Sequence, residues 1–308
     1  MKTFTASSVL PLALLAAVEM GMAQSSAMSR ATLDDVALDL DYEMWGNAGE
    51  PVVLVHAGIF ADWFKPLRDE PALTGRHRVL SYHRVGYAGS SRVAGPVSLV
   101  QQAGHLRALM RKLGIPRAHV VGHSSGGNIA LQLALESPEM VQSIVLMEPA
   151  LPVPGLGQER LLSTRTAMAP VLEAYRAGDR ARAVDGFMHF VSGPDYRAVI
   201  DRVLPGAFAQ AVTDADTFFG QELPAVQQWT LSREDAGRIS QPALSMVGEK
   251  SKALSPIWTE RHELILAWLP TAEGFVLPDA THLLHVQYPR TVADGLAAFF
   301  ARHPLRAP

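Results

Sequence analysis

The chain has 308 residues, enough for one large domain with an insertion or for two smaller domains. Hydrophobic residues make up 48% and charged residues 19%, which indicates an ordinary globular protein, and the formal net charge of −3 leaves no basic surface for nucleic-acid phosphates. Because cysteine is absent, disulfides, thiolate metal sites and a cysteine nucleophile are excluded.

Residues 1–30 differ in composition from the rest of the chain. Lys2 precedes an apolar stretch over residues 9–18, and small residues follow around Gly21 and Ala23. This order is typical of a secretory signal peptide, so we expect a secreted or periplasmic protein; if the segment is only an extension, the protein is cytoplasmic. The apolar run is too short to cross a bilayer, and no other stretch approaches that length, so no membrane span is expected.

From about Leu33 to residue 150, short apolar runs alternate with longer amphipathic stretches. This alternation predicts strands and helices interleaved around a mostly parallel sheet. Buried strands are predicted over residues 51–56, 77–82, 118–122 and 141–147, with helices over 99–113 and 128–136.

The pattern changes over residues 151–238, where helical segments are separated by Pro and Gly without a convincing strand. We interpret this region as a helical cap inserted into an α/β core of residues 31–150 and 239–308. Strands are predicted again over 242–247 and 274–277, with a helix over 257–269 between them and a closing helix over 292–302.

The strongest motif is Gly122-His123-Ser124-Ser125-Gly126-Gly127, at the point where a predicted strand ends and a helix begins. A G-x-S-x-G sequence in this setting is typical of a nucleophile elbow, a turn so tight that the residues two positions from the serine must be small. A plain glycine-rich βα turn is the simpler alternative. The setting favours Ser124 as the nucleophile.

A serine hydroxyl needs a base within hydrogen-bond reach, and histidine is the usual choice. His282 follows the last predicted strand through a short loop, at the sheet edge where the elbow lies, so we predict that it is the base. His285, one helical turn later, is the rival, and His123 is too close in sequence to turn back on Ser124. No histidine spacing indicates a metal site.

Acyl transfer also requires hydrogen-bond donors for the oxyanion of the tetrahedral intermediate. His56-Ala57-Gly58 ends the first predicted buried strand, and we expect the N–H groups of Gly58 and Ser125 to form this oxyanion hole. Trp63 and Phe64 follow soon afterwards and are predicted to line the substrate pocket, although they could instead anchor the loop.

These residues together resemble the α/β-hydrolase superfamily over nearly the whole chain. The His-x-Gly loop, the stretch 84–91 that begins Arg84-Val85-Gly86-Tyr87, the elbow and His282 occur in the family's order. The resemblance implies an eight-stranded, mostly parallel sheet with a helical cap inserted after the sixth strand. It implies no metal and no organic cofactor.

The sequence departs from the family at the acid of the triad. The family's usual Asp position is Ser251, which cannot hold an imidazolium by charge. Glu148 ends the strand after the elbow, and a subset of the superfamily, including fungal lactonases that open the zearalenone ring, is similar in taking its acid there. We therefore predict Glu148 as the acid, with Glu249 as the alternative.

The predicted function is that of a serine hydrolase that cleaves a small-molecule carboxylic ester or lactone through an acyl-enzyme. A cofactor-free perhydrolase or haloperoxidase, or a carbon–carbon hydrolase, would use the same triad. A ligand-binding homologue that has lost the reaction is the alternative of another class. The predicted cap contains apolar side chains that either line the pocket or pack the cap: Phe187, Met188, Phe190, Phe208, Phe218, Phe219 and Trp229.

Overall fold

Eight strands form a single sheet in a computed structural model that describes residues 28–154 and 158–305. The strand order is β1-β2-β4-β3-β5-β6-β7-β8; β1 pairs antiparallel with β2 and β2 with β4, whereas all later pairs are parallel. The strands are β1 (Ser29–Leu33), β2 (Leu38–Trp45), β3 (Glu50–Val55), β4 (His77–Tyr82), β5 (Ala118–His123), β6 (Val141–Met147), β7 (Ala243–Gly248) and β8 (Ala272–Leu277).

Helices cover both faces of the sheet. Successive side chains of a strand point to opposite faces, and accordingly Val52 and Leu54 belong to one hydrophobic core and Val53 and Val55 to the other. The helices outside the insertion are α1 (Pro71–Thr74), α2 (Leu99–Lys112), α3 (Ser125–Glu136), α11 (Ser251–Leu254), α12 (Ile257–Trp268), α13 (Leu284–Gln287) and α14 (Pro289–Arg302).

A helical insert lies between β6 and β7, as expected from the sequence. Its helices are α4 (Gln158–Arg176), α5 (Arg180–Ser192), α6 (Tyr196–Val203), α7 (Ala207–Thr213), α8 (Ala215–Thr217), α9 (Leu223–Gln228) and α10 (Arg233–Arg238), with a π-helical turn, Phe218–Glu222, between α8 and α9. The eight-stranded, mostly parallel sheet and the insert after the sixth strand confirm the predicted fold class.

The two N-terminal strands were not located from the sequence. In β2 the acidic residues Asp39, Asp41 and Glu43 alternate with apolar ones, and this charge conceals a strand that is largely buried. All three carboxylates accept a hydrogen bond: Asp39 from the Thr32 hydroxyl at 2.6 Å, Asp41 from Arg30 Nε at 2.8 Å and Glu43 from Trp45 Nε1 at 2.7 Å.

The expected signal peptide lies, up to residue 27, outside the described residues. Within the part of the chain that the structure describes, no helix has the length and apolar character needed to cross a membrane.

The parallel strands bring the predicted site residues to one edge of the sheet. His56 follows β3, Ser124 follows β5 and Glu148 follows β6, while His282 lies in the loop after β8. The carboxyl edge of a parallel sheet is the usual position of a ligand site in α/β proteins, so these loops form the candidate site.

Candidate active site

Ser124 lies in a strained turn between β5 and α3. Its φ of 51° and ψ of −121° are unusual for a residue with a side chain, and its N–H donates to the Met147 carbonyl at 2.9 Å. The turn requires glycine on either side: a Cβ on Gly122 would lie 2.4 Å from the Gly126 carbonyl oxygen, and one on Gly126 would lie 2.1 Å from that of Val55. This is the geometry of a nucleophile elbow.

The structure brings His282 and Glu148 together. His282 Nδ1 donates to Glu148 Oε2 at 2.6 Å, and the other carboxylate oxygen accepts the Gly248 N–H at 2.8 Å. Both side chains are buried, and the backbone at Glu148 has a φ of 42°. Glu249, the alternative acid, is exposed and accepts the N–H of Asp279.

Burial opposes charge on both members of this pair. Burial raises the pKa of Glu148 to about 7, opposed by the Ser251 side chain and the Gly248 N–H. It lowers the pKa of His282 to about 3, with the positive charge of Arg261 acting in the same direction. Above about pH 7 the pair therefore holds one proton between Nδ1 and the carboxylate. His282 Nε2 is then unprotonated and able to accept a proton.

Aromatic rings fix the orientation of His282. Trp258 stacks on it with centroids 4.1 Å apart and an interplanar angle of 23°, and the His123 ring lies 4.6 Å away. His123 Nε2 also donates to the His282 carbonyl at 3.0 Å. The rival base, His285, is fully buried against Phe64, His123 and Trp63, and it does not line the cavity described below.

The two predicted oxyanion donors lie beside Ser124, the predicted nucleophile. Gly58 and Ser125 line the same cavity as Ser124 and His282. His56 holds the loop before Gly58. Its Nδ1 donates to the Ala57 carbonyl at 2.6 Å, and its Nε2 accepts the backbone N–H of Arg84 at 2.9 Å. Ser125 is the first residue of α3, where backbone N–H groups have no partner within the helix.

A buried carboxylate lies behind these donors and was not found from the sequence. Glu222, in the π-helical turn of the insert, accepts hydrogen bonds from Arg84 Nη2 at 2.8 and 3.0 Å, from the Tyr87 hydroxyl, and from Ser125 Oγ at 2.5 Å. Arg84 and Tyr87 belong to a motif recognised in the sequence, but Glu222 lies 138 residues after Arg84, and no local pattern marks it.

The cavity above Ser124 has a volume of about 560 Å³ and mainly apolar walls. Trp63 lines it, whereas Phe64, also predicted for the pocket, instead stacks on His285 with centroids 4.6 Å apart. Among the described residues that line the cavity, Arg261 is the one charged residue and His282 the one histidine. Apolar residues of the insert complete the wall: Met168, Phe187, Met188, Phe190, Val191 and Phe218.

The remaining aromatic residues of the insert have packing roles. The Arg197 guanidinium lies 3.6 Å from the centre of the Phe208 ring, Phe219 stacks on Tyr175, and Trp229 Nε1 donates to Gln132. Over residues 28–154 and 158–305, no group of three or more His, Asp or Glu side chains could hold a metal ion.

Comparison with known families gives a match over most of the chain. The model of the "Alpha/beta hydrolase family" matches residues 52–295. Among curated proteins, the chain is 26% identical over 268 residues to the dihydrolipoyllysine-residue acetyltransferase component of the acetoin cleaving system of Pseudomonas putida, covering 85% of this chain. The chain spans 40% to 66% of the length of this protein and of two further curated relatives.

Two solved structures illustrate the shared fold. The enol-lactonase from Burkholderia xenovorans LB400 is 21% identical with a TM-score of 0.70, over 89% of this chain and 100% of that one. A thermophilic esterase from Thermogutta terrifontis is 22% identical with a TM-score of 0.68, over 91% of this chain and 100% of that one. At these identities the likeness shows the fold alone.

Proposed function

The chain belongs to the α/β-hydrolase family, and from this premise we propose that it is a serine hydrolase that cleaves a carboxylic ester or lactone through an acyl-enzyme. One observation carries the proposal. His282, hydrogen-bonded through Nδ1 to the buried Glu148, lines the same cavity as Ser124, which occupies a strained elbow. A nucleophile, a base and an acid that orients the base are the elements of a catalytic triad.

In the first step Ser124 Oγ attacks the substrate carbonyl while His282 Nε2 accepts its proton. The carbonyl oxygen becomes an oxyanion, which the N–H groups of Gly58 and Ser125 stabilise. Glu148 holds the imidazole in the tautomer that leaves Nε2 free and stabilises the imidazolium as it forms.

In the second step the intermediate collapses and His282 gives its proton to the leaving alkoxide. Water then attacks the acyl-enzyme, with His282 again as base, and releases the acid with free Ser124. In a lactone the leaving alkoxide remains attached to the acyl group, so that one ring-opened hydroxy acid is the product.

The cavity favours binding of an uncharged, apolar acyl group, because aromatic and methionine side chains of the insert form much of its wall. The names of two proteins with the same fold, an enol-lactonase and an esterase, support ester or lactone chemistry. Perhydrolysis, carbon–carbon bond hydrolysis and ligand binding without a reaction are the competing functions.

A substrate panel tests the proposal. The wild-type protein and Ser124→Ala are assayed with p-nitrophenyl esters of increasing acyl length and with a set of lactones, followed by product analysis. We expect hydrolysis by the wild type and none above background by the variant. Peracid formation from hydrogen peroxide and acetate in place of ester hydrolysis would favour the perhydrolase. Equal ligand binding by both proteins without turnover would favour a binding protein.

A further inference from the structure

A chain of buried hydrogen bonds connects the helical insert to both predicted oxyanion donors. Glu222 of the insert is 1% exposed and accepts the Ser125 hydroxyl proton at 2.5 Å. Ser125 Oγ in turn accepts the Gly58 N–H at 3.1 Å. The Ser125 hydroxyl therefore donates its proton to Glu222 of the insert, and its oxygen accepts a hydrogen bond from the oxyanion loop.

This connection bears on the distance between the two donors. Ser125 contributes its own backbone N–H. Its side chain accepts the N–H of Gly58, so this second donor is shared between Ser125 Oγ and the oxyanion when the intermediate forms. Donors stabilise an oxyanion only when they lie about 2.7–3.1 Å from the place where the charge develops. A hydroxyl that is free to rotate would not fix this spacing, whereas the bond to Glu222 holds the hydroxyl in one orientation.

The same turn of the insert contacts the oxyanion loop a second time. Phe218 and Glu222 begin and end the π-helical turn, and a Cβ on Gly58 would lie 2.4 Å from Phe218 Cε2. π-helical turns are rare and occur frequently at functional sites. Here the turn places an aromatic ring on Gly58 and a carboxylate on Ser125.

The rest of the network fixes the carboxylate itself. Arg84, also 1% exposed, donates to both oxygens of Glu222 through Nη2 and to Gln102 through Nη1 at 3.0 Å. The Tyr87 hydroxyl supplies a further bond to Glu222. A buried carboxylate is tolerated only when hydrogen bonds compensate for its loss of water. Here the bonds from Arg84 and Tyr87 also hold the Glu222 carboxylate in one position.

We propose that Glu222 is a positioning residue of the oxyanion hole, which acts through Ser125 Oγ to hold the Gly58 and Ser125 N–H groups at the spacing that the tetrahedral intermediate requires. The helical insert thereby completes the oxyanion hole in addition to forming the wall of the pocket. This inference rests on the proposed serine-hydrolase function.

The first test compares Glu222→Gln and Ser125→Ala with the wild type, using an ester that the wild type hydrolyses. We expect kcat to fall about 10- to 100-fold in each variant, the effect of donors displaced by a fraction of an ångström, with a much smaller change in KM. An alkyl trifluoromethyl ketone, which forms a tetrahedral adduct with the serine, should lose affinity by a similar factor.

Asp214→Asn is the matched control. Asp214 is a buried carboxylate of the same insert that also holds the loop after β4, through the Ala88 N–H at 3.0 Å and Arg92 at 2.5 Å, but its described contacts do not include Gly58 or Ser125. If Glu222 served only to anchor the insert, both carboxylate variants would lower kcat alike. The proposal predicts that Asp214→Asn keeps kcat and ketone affinity close to those of the wild type.

The double variant Glu222→Gln/Ser125→Ala decides whether Glu222 acts through Ser125. The proposal predicts that the double variant is no slower than the slower single variant; losses that multiply would overturn it. If Glu222→Gln does not fold, Ser125→Ala alone decides, and wild-type ketone affinity in that variant would overturn the proposal. Active wild type with unaffected variants refutes this inference alone, whereas an inactive wild type refutes the proposed function.

Discussion

Replacing Glu148 with glutamine isolates the orienting role of the acid from its size. The amide oxygen of a glutamine can still accept the Gly248 N–H, which now bonds to one carboxylate oxygen at 2.8 Å. The amide nitrogen then faces His282 Nδ1, 2.6 Å from the other oxygen, and it is a donor. His282 must accept at Nδ1 and carry its proton on Nε2, so it presents a donor to Ser124 in place of an acceptor.

The expected loss is large because the variant favours the wrong tautomer and removes the charge that stabilises the imidazolium. Triads with such a change lose about 10⁴-fold in kcat, equivalent to roughly 5 kcal/mol of transition-state stabilisation. Because glutamine has the same shape, we expect KM and the thermal unfolding midpoint to change little.

The assay is steady-state hydrolysis of an ester by the wild type, Glu148→Gln and Glu249→Gln, with thermal unfolding of each. Glu249 is the matched control because it is exposed and its contact is with the Asp279 N–H. We expect Glu249→Gln to stay close to the wild type. Near-normal turnover by Glu148→Gln together with a collapse in Glu249→Gln would refute the assignment of the acid.

Four further predictions concern charge and space around the site. First, kcat/KM should fall as the His282–Glu148 pair takes up a second proton, and because burial raises the pKa of Glu148 to about 7, this acid limb should begin near pH 7; activity that stays constant well below pH 6 would contradict this. Second, Arg261→Gln should move that limb to higher pH, since the guanidinium lowers the pKa of both His282 and Glu148, and an unmoved limb would argue against the coupling. Third, burial holds the pKa values of His56, His123 and His285 well below 6.5, so below that pH the unfolded chain binds more protons than the folded protein. Chemical denaturation at several pH values should therefore show a free energy of unfolding that is constant above about pH 6.5 and decreases as the pH falls below it; a free energy of unfolding that does not decrease would contradict this. Fourth, Gly58→Ala should lower kcat by about 10²- to 10³-fold, because the added methyl group would lie 2.4 Å from Phe218 and displaces an oxyanion donor; wild-type turnover would place the donor elsewhere.

The core of the fold was predictable where strands are buried on both faces. The predicted strands over 77–82 and 141–147 coincide with β4 and β6, each of which contains a short buried apolar run, Val79-Leu80 in β4 and residues 144–147 in β6. β1 and β2 were missed because they lie at the antiparallel edge, where the alternating carboxylates of β2 conceal its strand character.

Residues of the site could be predicted where local sequence determines them. The tight turn at Ser124 requires its glycines, and the positions of Glu148 and His282 follow from which strands end at the same sheet edge. Glu222 and Arg261 could not be found in this way, because only the packing of the insert and of α12 brings them to the site. Phe64 was assigned to the pocket from its closeness in sequence to Trp63, but neighbouring residues point in different directions, and it packs on His285.

The most direct test of an activated Ser124 is intact-mass analysis after incubation with a fluorophosphonate, performed on the wild type, Ser124→Ala and Glu148→Gln. We predict a single adduct on the wild type, located on the peptide that contains Ser124, no adduct on Ser124→Ala, and much slower labelling of Glu148→Gln. An unlabelled wild type, or an adduct that persists in Ser124→Ala, would contradict the account.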